Sequence, residues 1–224
     1  MRSYEQGKTF IDAFENRLNT SVENPYLYFG VAEGDLSWDE AYANNLKKLK
    51  SRLEPFTSKG LNLKAEVIPN ELHYDSYIKG LLSDFELIFP KQIWRTEYVN
   101  LIDKQDNALQ NIIKFHEQLS LNYGFESHPK IESWNNQNSL DKIGYRLIRK
   151  ERISEAIEVF QYITENRPSS GIAYYNMAKA LEKDKQFKKA LSAFEKAYNV
   201  SIESEDSKEY LKNIERLKKI IKEK

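Results

Sequence analysis

The sequence predicts an α/β segment followed by an all-α array of helical hairpins. Two observations carry this. Over residues 1–90, short apolar runs of strand length alternate with amphipathic stretches of helical period. Over residues 138–204, small and bulky residues recur in a register of about 34 residues, the length of a two-helix repeat unit.

Composition limits what the chain can be. Its 224 residues suffice for one large or two small domains. The mix, 40% hydrophobic and 30% charged, is that of a globular protein with a well-charged surface. The formal net charge is zero, which removes any bulk electrostatic case for nucleic acid or an anionic membrane surface. Cysteine is absent, so disulfides and thiolate metal sites are excluded and the redox compartment is unread. No apolar run approaches the ~18 residues of a membrane span. The start, MRSYEQGKTF, lacks the apolar stretch of a signal peptide. The compartment is therefore open: the chain is cytosolic, or Met1 is not its natural start.

In chain order, Gln6 to Leu18 reads as a helix with Phe10, Ile11, Phe14 and Leu18 on one face. Tyr26 to Val31 is a continuous apolar run that suits a strand buried on both faces. A turn, AEGDLS, leads into a helix from about Trp38 to Leu53, closed by Pro55 and Gly60. Leu63 to Ile68 is a second strand, ended by Pro69. A loop holding His73 precedes an amphipathic helix, Tyr77 to Phe89. Strand, helix, strand, helix implies a parallel crossover. Two parallel strands leave edges and faces unsatisfied, so the segment is expected to pair with another chain, rearrange, or be marginally stable alone.

The polar residues of this segment collect where parallel strands end, at Glu33, Asp35 and His73. PYLYFGVAEGD resembles the penultimate strand and acid loop of α/β-hydrolase putative esterases similar to ferric-enterobactin esterase. LKAEVIPNELHYDSYIKGLLSDFELIF resembles that group's last strand, histidine loop and final helix. Pro69, Glu71 and His73 match its histidine motif. The resemblance implies His73 as general base, with Glu33 or Asp35 orienting the imidazole. Gly30 to Glu33 fits the group's Gly-x-x-Glu acid loop and favours Glu33. Capping of the Trp38 helix is the other reading of both acids.

The group's nucleophile is a serine in G-x-S-x-G upstream of the acid and the histidine. No such motif occurs here, and too few residues precede Tyr26 for the first strands, oxyanion hole and elbow. Ser3 and Tyr4 are similar only to the segment after the elbow. The resemblance thus implies the last third of an esterase domain, with the acid and base but no nucleophile, inactive by itself. An ester would be its substrate only together with the missing portion. No cofactor is implied. No two of the three histidines have metal-ligand spacing, so no metal site is expected. His116, within a helix from about Asn107 to Leu121, and His128, before Pro129, read as structural.

Residues 91–137 read as a connecting helix and linker. Trp94 and Tyr98, four apart, read as core packing between the domains, and Pro129 and several Asn mark a polar linker, Gly124 to Ser139. LNYGFESHPKIESWNNQNSLDKIGYRLI is similar to the linker that joins esterase domains to C-terminal repeats in some bacterial proteins.

In the array, Ile143 falls on Met177, Gly144 on Ala178, Leu147 on Leu181, Ala156 on Ala190 and Phe160 on Phe194. Small residues allow close backbone approach, bulky ones fill the space between helices, and Pro168 stops the first unit. The stretch resembles two tetratricopeptide repeats (138–204). Ile163 stands where a small residue is usual, and Ile202 where proline is. The resemblance implies a groove for a peptide or protein, lined in this register by Asp141, Tyr145, Ile148, Arg149, Tyr175, Lys179 and Lys183. The subclass that clamps a peptide carboxylate has Lys and Asn where Asp141 and Tyr145 stand. Asn176 matches alone, so carboxylate clamping is not implied. The last helix, within 205–224, presents Tyr210, Ile214, Leu217 and Ile221 as a cap, with lysines at its C-terminus to favour the dipole.

Two functions follow. One is the acid and base portion of a serine esterase with a repeat tail. The other is a non-catalytic repeat module for protein interaction on a remnant hydrolase scaffold.

Overall fold

A computed structural model describes residues 12–19, 25–38, 41–103, 106–132 and 137–223. The chain divides into two compact units, Met1–Thr96 and Glu97–Lys224.

In the first unit, β1 (Tyr26–Ala32) pairs in parallel with β2 (Asn62–Ile68), in register from Tyr26 opposite Asn62 to Ala32 opposite Ile68. Prolines bracket the pair, Pro25 before β1 and Pro69 after β2, where no ladder donor is needed. The first helix, α1, is described over residues 12–18. The rest of the expected Gln6–Leu18 helix, like Ser3 and Tyr4, lies outside the described residues. The turn expected after β1 is a short helix, α2 (Glu33–Leu36), and the next, α3, is described over Ala41–Leu53, with Trp38 in a turn. A 3-10 segment (Glu54–Lys59) ends at Gly60, whose φ of 99° suits a residue without Cβ.

Side chains alternate along the strands. Leu27, Phe29 and Leu63 pack with Phe14, Leu18, Leu49, Leu53 and Leu61, so α1 and α3 cover one face. Tyr28 and Ile68 meet Gly80 of α4 (Ser76–Ile88) on the other. The Tyr28 hydroxyl donates to Glu66 Oε1 at 3.1 Å, and burial, reinforced by that carboxylate, pushes its pKa up to about 12. The helix α4 turns Gly80 and Ser83 inward, toward Tyr28. Its large side chains point outward: Tyr77, Ile78, Leu81, Leu82 and Phe85 are 50–67% exposed. A short helix, α5 (Lys91–Trp94), closes the unit.

The second unit is all helix: α6 (Tyr98–Ile102), α7 (Ala108–Tyr123), α8 (Leu140–Arg149), α9 (Ile153–Asn166), α10 (Gly171–Lys183), α11 (Phe187–Val200) and α12 (Ser207–Lys222). From α8 to α12 each helix packs on the next. The step from Ile153 to Phe187, which open α9 and α11, is 34 residues. The repeat register is kept in three dimensions: Leu140, Leu147, Phe160, Ala178, Ala190 and Phe194 are fully buried. At Gly144 a Cβ would lie 2.5 Å from Phe160 Cζ, which is why this crossing takes glycine. Ile163, the large residue at a small-residue position, sits in the core at 1% exposure. Ile202 is 59% exposed. The turn residues Glu151 and Lys185, again 34 apart, hold φ of 59° and 61°. After Pro168, Ser170 caps α10 by accepting from the Ala173 N–H.

The stretch read from sequence as a linker, 124–139, is pinned where it is described. Leu140 and Asp141 N–H groups donate to the carbonyls of Lys130 and Ile131. The Tyr98 hydroxyl accepts from the Lys130 N–H at 2.8 Å and stands 2.7 Å from His116 Nε2, while His116 Nδ1 meets Ser127 Oγ at 2.8 Å. Burial, and secondarily His128, hold the His116 pKa below its ordinary value. The Tyr98 hydroxyl already accepts from Lys130, so its own proton is free for Nε2, the tautomer in which Nδ1–H faces Ser127 Oγ. At the other end of α7, Glu155 accepts from the Ala108 N–H at 2.8 Å and from Arg152. Thus α6 and α7 belong to the array unit. No helix among the described residues is long and apolar enough to cross a membrane.

Candidate functional site

The array holds a cleft of about 430 Å³ among α8, α9 and α10. At its centre the Tyr145 hydroxyl donates to Asn176 Oδ1 at 2.5 Å, and the Tyr145 ring stands edge-on to Phe160 at 5.8 Å. Asn176 is 4% exposed, and a buried amide on an apolar stripe requires such a partner. Tyr145 is 41% exposed and so presents its ring to the cleft. Burial raises its phenol pKa, which keeps the hydroxyl a neutral donor at physiological pH. Ile163, Ile172 and Ala173 add apolar wall. The rim carries both signs. Arg167 pairs with Glu132 at 3.0 Å, and Glu132 also accepts from Ser170. Asp141 accepts from Ser139 and lies 3.3 Å from Lys142 Nζ.

Of the groove residues expected from sequence, Asp141 and Tyr145 line this cleft together. Arg149 lies instead in a separate depression with Glu97, Lys142 and Arg146. Tyr175 is turned to the last helix: it stacks on Tyr210 with centroids 5.0 Å apart and donates to Glu209. Lys183 donates to the Ile148 carbonyl at 3.2 Å, which ties one repeat to the next. Lys179 is not among the lining residues of the cleft. Asn176, Arg167, Glu132 and Ile172 enter from outside the expected set. Only Asn176 had a sequence signal, as the lone match to the carboxylate-clamping pattern.

A second constellation lies in the first unit, at the carboxyl ends of β1 and β2. Asp35 is 8% exposed, and its Oδ2 and Oδ1 stand 3.0 and 3.1 Å from His73 Nδ1. The residue favoured from the Gly-x-x-Glu pattern, Glu33, is used elsewhere: its carboxylate accepts from the Asn70 N–H at 2.8 Å. Asn70 turns the chain after β2 with φ of 58°, and its exposed N–H takes the longer acid. Two residues on, the shorter acid faces the histidine. Gly34 N–H donates to the Glu71 carbonyl at 2.9 Å, which fastens the two loops and fixes the pair. His73 is half exposed and edge-on to Tyr74 and Tyr77. An acid that orients an imidazole through Nδ1 leaves Nε2 for proton transfer, the arrangement of a general base. The sequence holds no G-x-S-x-G for it to serve.

No protein-family model matches the chain. No curated protein matches it. Among solved structures, an uncharacterised protein from Capnocytophaga ochracea DSM 7271 superposes on 92% of this chain with a TM-score of 0.60 at 13% identity. The chain spans 57% of that protein's length. MamA, from residue 41 to its end, from Desulfovibrio magneticus RS-1 aligns over 83% of this chain and 96% of its own, at 15% identity and a TM-score of 0.31. At 13% identity the first of these is a likeness of fold alone. The fold is a small parallel sheet with helices, followed by an array of helical hairpins that repeats at a step of 34 residues.

Proposed function

We propose that the chain is a non-catalytic interaction module whose array holds an extended segment of a partner protein. The observation that carries this is the cleft with the Tyr145–Asn176 pair at its centre. Its walls are aromatic and aliphatic, and its centre holds a donor and an acceptor that can exchange their mutual bond for bonds to a peptide backbone. Asp141, Glu132, Arg167 and Lys142 place both charges on the rim, which suits a mixed-charge segment and disfavours a free carboxylate beside Asp141. The test is selection of peptides from a random displayed library on the purified chain. Selected peptides are expected to lose at least tenfold in affinity with Tyr145→Ala or Asn176→Ala, in variants that keep their helical circular dichroism. Peptides that bind both variants unchanged, or a failure to enrich any, would overturn the proposal.

A second reading, the acid and base portion of a serine esterase, is favoured by the Asp35–His73 pair. It requires a nucleophile from outside this sequence. The purified chain is expected to hydrolyse a chromogenic ester no faster than background. Hydrolysis that is lost in His73→Ala would establish the second reading in place of the first.

A further inference from the structure

The helix α4 is built the wrong way round for a helix that ends at its own sheet. Its small residues Gly80 and Ser83 meet β1 and β2, and five of its large apolar ones point outward. Tyr77, Ile78, Leu81, Leu82 and Phe85 share one arc of the helix, Tyr74 precedes it in the turn, and all six are 50–80% exposed. At ordinary side-chain sizes this is on the order of 700 Å² of largely apolar surface, close to the ~800 Å² that each partner gives to a standard interface. Scattered exposed apolar residues need no explanation, but a contiguous patch of this size does.

The chemistry of the arc narrows what covers it. The arc itself carries no charge. Two of the charges beside it are paired, Lys79 with Glu71 and Glu86 with Lys91, which lowers the cost of covering them. An interfacial membrane helix would have a basic polar face, whereas the polar side here carries Lys79 against Asp84 and Glu86. The arc is convex, so it fits another helix face rather than an extended peptide. The chain has a formal net charge of zero, so two copies approach without repulsion.

From these features we infer that α4 is the docking surface for a second copy of this chain. In an antiparallel α4–α4 pair about a two-fold axis near Leu81, Tyr77 and Ile78 of one copy pack on Leu82 and Phe85 of the other. Such a contact is isologous and closes on itself. It uses none of the residues that line the cleft of the array and stands whether or not that cleft binds peptide.

The experiment uses the full chain. Light scattering coupled to size exclusion is expected to give twice the 26.4 kDa monomer mass at tens of micromolar. The double substitution Leu81→Glu, Phe85→Glu is expected to give the monomer. Both side chains point to solvent in one copy, so the variant keeps its fold, checked by circular dichroism. The absence of native cysteine supplies a second readout. Leu81→Cys is expected to form a disulfide-linked dimer on mild oxidation, and Lys196→Cys in the array is not. A wild-type chain that stays monomeric, a dimer untouched by the double substitution, or equal crosslinking at both positions would overturn the inference. A monomer would assign the arc to a different protein.

Discussion

The helices α9 and α4 differ by one residue in length, 14 against 13, and both are amphipathic, yet they dispose of their apolar faces in opposite ways. In α9, Val159, Phe160 and Ile163 are buried between neighbouring helices of the array. In α4 the equivalent bulk faces outward and the residues toward the sheet are small. The contrast teaches that a 3.6-residue period says one face must be covered and leaves open by what. In a repeat the answer is built in, since each unit carries the surface that covers the last. In the two-stranded unit nothing in the period names the cover.

The largest expected effect separates these two situations directly. Phe160→Ala should destabilise the array by about 3–5 kcal/mol, as a deleted core aromatic does. Leu81→Ala should stay within about 0.5 kcal/mol in the monomeric state, because it removes surface already in water. Urea unfolding of both variants under dilute conditions checks this. Equal losses would show that α4 is buried after all.

The next effect lies within the array and asks whether its two repeats are packed alike. Gly144 and Ala178 occupy the same register position, but only at Gly144 is the space for a methyl taken, by the Phe160 ring. Gly144→Ala should therefore cost about 1–3 kcal/mol through overpacking. Ala178→Gly should cost about 1 kcal/mol through helix propensity. Opposite signs in the two repeats would break the equivalence.

A pH profile comes third. His116 titrates below its ordinary value in the folded state because it is buried. A depressed histidine pKa means the unfolded chain binds the proton first. The contribution is therefore full above the unfolded value, near 6.5, and lost as pH falls through the folded one. The urea midpoint of the array should drop between about pH 7 and about pH 5, and the drop should shrink in His116→Gln. An unchanged drop would place its origin elsewhere.

The smallest effect is a gain. Glu151 and Lys185 both hold left-handed φ at the hairpin turns. Glycine at either site should stabilise by about 0.5–1 kcal/mol, and by similar amounts at both, as thermal unfolding would show.

Much of the array was legible because its constraints are local and repeated. The 34-residue register placed Gly144 against Phe160's helix and Pro168 at a stop, and the structure puts them there. The strands were legible from Tyr26–Val31 and Leu63–Ile68, which the ladder extends by Ala32 at one and Asn62 at the other. What the sequence withheld were choices between near neighbours. Glu33 and Asp35 are two residues apart, and only the turn at Asn70 decides which acid is free for His73. Tyr175 lies on the expected groove face, but Glu209 and Tyr210, on a helix outside the repeat, draw it away. The stretch 124–139 is polar enough to read as a linker. Its pinning depends on Tyr98, His116 and Ser120, whose convergence no local pattern announces.

The polar links between successive repeats have a mechanical meaning. Lys183 reaches Ile148 from one repeat back, Tyr175 and Glu182 are held by Glu209 and Arg216 one step on, and each link spans about one period. Load applied at the C-terminal end would pass first into α12 and its bonds to Glu182 and Tyr175, and reach Tyr145–Asn176 only after those had parted. Pulled from that end, the array should lengthen in discrete steps, the outermost helix first, with its binding cleft among the last parts to open.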